Sequence, residues 1–248
     1  MKVIVLMANK AMMMIRLYIS PLMKPGNRFY FLVVALFILL LPLQAQQRDF
    51  QCWPSAQVSL EVLNNLKVHL EEELRLVENA SQFGRQINDI GASYRFNKYL
   101  RASLFYRIEA DWKNADTYRW RQGAFADVSM KYDVARFTFG YRIRFQSARV
   151  EFNEGEPLLR GFVNRHKLSA AYDIKGLPII PFIEEEAFIN LTGNSEIKAY
   201  RTWIGLSWAP GKIHELSLKY GIEKQRGIAD PLTSYILAIQ YAASLSMK

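Results

Sequence analysis

The groups in this sequence best arranged to do chemistry are charged side chains at every second position. From residue 66 to 77 the order is LKVHLEEELRLV. Lys67, His69, Glu71, Glu73 and Arg75 share one parity, and Leu66, Val68, Leu70, Leu74 and Leu76 share the other, broken only by Glu72. Successive strand side chains point to opposite faces, so this spacing predicts a strand charged on one side and apolar on the other. The charged parity continues along the chain through Arg95, Arg101, Arg107, Glu109, Arg121, Asp127, Lys131, Arg142, Arg144, Arg165, Lys167, Glu184, Glu186, Arg201, Lys219 and Glu223. If these rows turn inward in a closed sheet, the candidate network is Glu71, Glu73, Arg75, Arg95, Arg101, Arg107, Glu109, Arg142, Arg144, Glu186 and Arg201. One reading is a salt-bridge filling for a narrow lumen; the other is a charged pore or solute site. Bases outnumber acids in the rows, so any leak is expected to favour anions.

Other chemistry finds less support. His69 lies in the charged row beside Glu71 and Glu73, with Ser93 or Ser103 as serines that neighbouring strands could bring close. His166 falls in the apolar phase and His214 in a connection. There is no Gly-x-Ser-x-Gly, and a histidine among carboxylates reads first as an ion-pair partner. His and Cys lack metal-ligand spacing, and no Walker or dinucleotide fingerprint occurs, so no catalytic residue, metal or cofactor is expected. Cys52 is the one cysteine and excludes an intrachain disulfide; the preceding Asp49-Phe50-Gln51 fits a lipidation site poorly. The net charge of +9 does not point to nucleic acid. Five bases and no acid lie in residues 1–45, which leaves 27 bases against 23 acids, and no RNP, zinc-finger or helix-turn-helix pattern is present.

The elements that must position these residues are strands. Half the residues are hydrophobic, yet mean hydropathy is −0.06, as expected where apolar and polar residues alternate. Beyond the first strand the pattern recurs in Ile90–Phe96, Leu100–Ala110, Trp120–Tyr132, Phe137–Phe145, Leu168–Tyr172, residues 179–190, Tyr200–Trp208, Leu216–Ile222 and Tyr235–Tyr241. That gives ten strands between residues 66 and 247, most about ten residues long, as tilted membrane crossings need. Connections at 97–98, 133–136, 174–178 and 209–213 read as short; those at 78–86, 112–118, 147–163, 190–196 and 224–232 read as long. Short turns at one end and long loops at the other are the outer-membrane pattern. The expected fold is an all-β, antiparallel, up-and-down transmembrane barrel of about ten strands (10–12), with both ends on the periplasmic side. Residues 46–65 alternate weakly and are expected as a periplasmic, lumen-inserted or partly paired segment, with the barrel at 66–248.

Residues 29–43, FYFLVVALFILLLPL, follow Lys24 and Arg28 and precede Leu43-Gln44-Ala45. A basic start, a short apolar run and a small-residue exit predict a signal peptide over 1–45. The stretch before Met23 is read as an upstream mis-start.

The chain resembles the DUF2490 proteins, an uncharacterised bacterial family. The residues that carry the resemblance are Trp53, the strand Leu70 to Arg75, Gly91 to Tyr94, Arg142-Ile143-Arg144, Glu186-Ala187-Phe188-Ile189-Asn190, Arg201 before Gly205-Leu206, and Tyr220-Gly221. It covers about residues 53–245 and implies a barrel in the outer membrane of a Gram-negative bacterium, with no agreed activity. One departure is the ending Ser246-Met247-Lys248, where many outer-membrane barrels end in an aromatic. The expected partners are outer-membrane lipid, the barrel-assembly machinery during insertion, and an extracellular partner at the long loops; nucleic acid is not expected. The function this supports is a structural or interaction barrel with a filled lumen. The alternatives are a narrow anion-leaning pore or small-solute transporter, a barrel-embedded lipid hydrolase, and a secreted lipocalin-like barrel, which needs an apolar interior.

Overall fold

The computed structural model of the chain describes residues 48–114, 117–147, 150–151, 161–192 and 195–247; residues 1–45, expected from sequence as a signal peptide, lie outside them. The described residues form β1 (Arg48–Leu63), β2 (Leu66–Val77), β3 (Gln82–Arg95), β4 (Leu100–Asn114), β5 (Thr117–Val134), β6 (Phe137–Ser147), the two-residue β7 (Val150–Glu151), β8 (Phe162–Tyr172), β9 (Ile179–Asn190), β10 (Glu196–Trp208), β11 (His214–Gln225) and β12 (Thr233–Ser246). Each strand pairs with its sequence neighbours, β6 pairs with β8, and β7 only flanks β5. The β1–β12 pairing closes the ring at eleven strands.

The count has a topological consequence. Neighbours in an up-and-down sheet run in opposite directions, so an odd number leaves the first and last strands running the same way. The closing pair is accordingly parallel, and it is the one parallel pair among the described strands. A parallel ladder is slightly weaker per residue. Here it runs unbroken from Arg48↔Thr233 to Glu61↔Ser246.

This corrects two expectations. Within the expected 46–65 segment the described residues are not separate from the barrel, because Arg48–Leu63 is a full wall strand bonded on both edges. The start of β1 and the end of β12 lie at opposite ends of the barrel, not on one side. The weak alternation of β1 has a plain cause: the middle of its inward row, Gln51, Trp53, Ser55, Gln57 and Ser59, is uncharged between Asp49 and Glu61, and its outward row is diluted by Pro54 and Ala56.

The loop asymmetry is also smaller than expected. At the end where β1 starts, β3 begins at Gln82 and leaves only residues 78–81 as a turn, while β4 reaches Asn114 and β5 starts at Thr117. The long connections there are 148–161 and 226–232. At the opposite end the connections span 64–65, 96–99, 135–136, 173–178 and 209–213. Asn65 closes one of the two two-residue turns with φ +70°, a left-handed conformation that Asn tolerates better than most residues.

The wall is inverted relative to a soluble barrel. Leu70, Ile90, Leu104, Leu168, Ile183, Ile204, Leu206 and Leu218 face outward and are each at least half exposed. Asp89, Glu109, Asp127, Arg144, Glu186 and Arg201 face inward and are buried. The lipocalin-like arrangement, apolar inside, is therefore not the one observed.

Candidate functional site in the barrel lumen

The strand alternation places every second residue of eleven strands in one lumen, and ion pairs across neighbouring strands set its centre. On β9, Glu186 is 2 % exposed. It accepts from Arg142 Nη2 on β6 at 2.6 Å and from Arg165 on β8 at 2.8 and 3.1 Å, with Arg201 Nη1 on β10 at 3.7 Å. Three guanidinium groups thus converge on one carboxylate. The arrangement follows from register, since Glu186 lies opposite Lys167 on β8 and opposite Arg201 on β10.

A second cluster stands on β3 to β6. Arg107 donates to both oxygens of Asp89 at 2.7 and 2.6 Å and lies 3.6 Å from Glu109. Arg144 donates to both oxygens of Asp127 at 2.7 and 2.8 Å. Between them the buried Phe125 stacks on Phe105 at 4.9 Å and carries the Arg144 guanidinium 3.8 Å above its ring. Fork-on-fork pairs of this kind are strong and directional. Around the rest of the ring Arg75 pairs with Glu73 at 2.6 Å and lies 3.8 Å over Trp53, Lys167 pairs with Glu184 at 2.8 Å, and Arg201 binds Glu223.

Three of the cavities that these side chains leave follow one another along the lumen. The upper one, about 480 Å³, opens toward the end where β1 starts; the central one is about 230 Å³ and the lower one about 350 Å³. Trp53, Arg75, Arg165 and Arg201 stand between upper and central, and Glu71, Arg142, Arg144 and Lys167 between central and lower. Eight basic and five acidic side chains line the central cavity.

Of the residues singled out from sequence, Glu73, Arg75, Arg107, Glu109, Arg142, Arg144, Glu186 and Arg201 come together in these clusters. Glu71 lines the central and lower cavities. Arg95 and Arg101 lie outside these clusters: both are exposed toward the lower rim, opposite each other in register, with Arg101 lining the lower cavity and Arg95 Nε bonded to Asn65 at 3.3 Å. Sequence reasoning left out Asp89, Asp111, Asp127 and Arg165 from the network, and the inward aromatics Trp53, Phe125, Phe188 and Trp203. Parity was the usable signal, since Trp203 shares its row with Arg201, and Asp89 with Arg95.

The histidine readings are also resolved. His69 faces the lumen between two serines, Nδ1 2.8 Å from Ser59 Oγ and Nε2 2.7 Å from Ser93 Oγ. With both ring nitrogens held by hydroxyls, none is left for a carboxylate that would orient it as a triad base. His166 faces outward against the Tyr141 hydroxyl at 2.6 Å, and His214 bonds Tyr241 at 2.8 Å.

On the outer wall aromatics gather toward both ends. Phe83, Trp112, Tyr118 and Trp120 contact one another near the upper end; Tyr94, Phe96, Tyr99, Tyr132, Phe137 and Tyr172 do so in smaller groups near the lower. Phe162 and Tyr172 lie at the two ends of β8. Ten residues at ~3.3 Å each, tilted by about 40°, separate them by roughly 25 Å along the barrel axis, the height of an outer-membrane apolar band.

A family model described as "Protein of unknown function (DUF2490)" matches residues 50–230, from β1 to the connection before β12. No curated protein matches the chain.

Proposed function

As the chain belongs to the DUF2490 family of proteins of unknown function, we propose its role from the geometry: it is an outer-membrane β-barrel of a Gram-negative bacterium, with its lumen closed by ion pairs, acting as a structural or interaction element. The observation that carries this reading is the inverted wall. Buried charges fill the inside, and an aliphatic band between two aromatic zones covers the outside. In water that exterior would be a contiguous apolar patch far larger than monomers expose; in lipid it is the expected surface. The partners that follow are outer-membrane lipid, the barrel-assembly machinery during insertion, and an extracellular partner at the loops of the upper end. Membrane fractionation tests it, with gel mobility compared before and after heating. The protein is expected in the outer-membrane fraction with a heat-modifiable band; recovery from the soluble periplasm would overturn the reading.

A second reading, a narrow anion-leaning pore, draws on the excess of bases around the central cavity. Eight-stranded barrels are filled by side chains and wide channels come near sixteen strands; eleven strands lie near the filled end. In planar bilayers the wild type is expected to stay closed or to pass small, anion-selective currents. Strong cation selectivity would count against this reading.

A further inference from the structure

We infer that the central cavity is a binding site for a small zwitterion of the α-amino-acid class, held by Glu71 and Lys219. The basis is a contrast between two sides of the same cavity. Around β6, β8 and β9 the charged groups are committed to one another: Arg142 and Arg165 to Glu186, and Lys167 to Glu184. On the contiguous wall β2–β1–β12–β11 of the cavity only Glu73 and Arg75 are so paired. Glu71, Ser55, Gln240 and Lys219 all face the cavity, and among the described residues none of the four side chains has a hydrogen-bond or ion-pair partner. Ser55 and Gln240 are direct neighbours across the parallel seam. Glu71 stands on one flank of that pair, on β2, and Lys219 on the other, on β11, its ammonium 5.0 Å over the Trp203 ring.

The chemistry of the occupant follows from what is uncommitted. One carboxylate and one ammonium are free to bind, with a hydroxyl and an amide between them. A simple anion would satisfy Lys219 and leave Glu71 facing it; a simple cation would do the reverse. A molecule bearing both charges satisfies both, with its ammonium on Glu71 and its carboxylate on Lys219. Charge-assisted hydrogen bonds at each end give such a ligand its advantage. The volume, about 230 Å³, equals roughly seven or eight waters at ~30 Å³ each, which suits a small amino acid. Trp53, Ile87 and Ala238 supply the apolar part of the wall.

Isothermal titration of the purified full chain in detergent tests the inference, and it does so independently of where the protein resides. The probes are L-alanine and L-phenylalanine, with propionate and ethylamine as the two halves of alanine. At least one amino acid is expected to bind saturably, and alanine at least tenfold more tightly than either half. Glu71→Gln and Lys219→Met should each weaken the amino acid tenfold or more, whereas Ser129→Ala, on the lower cavity, should bind as the wild type does. Folding of each variant is read from its strand circular dichroism. Should a variant not fold, the wild-type comparison of whole ligand against its halves still decides. Absence of saturable binding by both amino acids overturns the proposal. So does propionate binding as tightly as alanine, or folded Glu71 and Lys219 variants with unchanged affinity.

Discussion

At the scale of single residues, Glu186 carries more than its own charge. Arg142, Arg165 and Arg201 all lean on it, so removing its charge leaves three guanidinium groups, Arg201 buried and the other two half-buried, with less to offset their mutual repulsion. Breaking a buried ion pair by deleting one partner costs about 3–5 kcal/mol, because an uncompensated charge stays behind. Glu186→Gln is therefore expected to lower the denaturant midpoint of the folded, heat-modifiable form by an amount in that range. Removing one of the three donors, as in Arg142→Gln, should cost less, since Arg165 still binds Glu186 through two contacts. Equal losses in both variants would show that the cluster does not pivot on Glu186. The inward position of Glu186 was legible from parity alone, although Glu184-Glu185-Glu186 blurs the phase; Glu185 faces out and bonds Thr202. What parity could not supply was the partner. Which arginine meets which carboxylate depends on register between strands; alternation forbids one-residue slips, and turn length and bulges choose among the even shifts that remain.

At the scale of strands, glycines pair with inward aromatics across the wall. Gly221 on β11 lies opposite Trp203 on β10, and Gly91 on β3 opposite Phe105 on β4. A Cβ at either glycine would overlap the facing ring. The missing side chain gives a large inward ring room to lie flat on the neighbouring strand. Gly221→Val is expected to destabilise the barrel by ~1–3 kcal/mol, the usual cost of overpacking. The same change made in a Trp203→Ala background should cost clearly less, read as the difference between denaturation midpoints. Equal costs in both backgrounds would refute the coupling. The seam strand makes a second case. β1 is bonded on both edges, so Val58→Pro removes a ladder bond inside the wall and should abolish the heat-modifiable band; an appended segment would tolerate it. The sequence of β1 hid this role because its inward row is uncharged from Gln51 to Ser59, and a parallel closure leaves no hairpin signal to read. The upper half of β3 was hidden differently. Gln86 and Asn88 interrupt the apolar row and a bulge between Arg85 and Phe83 shifts its phase, so the alternation fades and a polar strand looks like a loop.

At the scale of the whole molecule, the odd strand count fixes how the ends are arranged. Ten strands would return the chain to the side it left; eleven carry it across, so the start of β1 and the end of β12 lie at opposite ends. Residue 79, in the turn between β2 and β3, shares the end of Arg48, while residue 97, between β3 and β4, shares the end of Ser246. The end that bears connections 148–161 and 226–232 is, in the proposed membrane reading, the outer one. The native Cys52 would confuse any thiol labelling, so Cys52→Ala is the background. In intact cells a membrane-impermeant maleimide is expected to label Asn79→Cys directly and Asn97→Cys only after the outer membrane is permeabilised. Both side chains are exposed, so access rather than burial controls the outcome. The reverse order would turn the barrel over, with the start of β1 in the periplasm. Labelling of both sites in intact cells, or of neither, would contradict a β3 that crosses a membrane between the two turns.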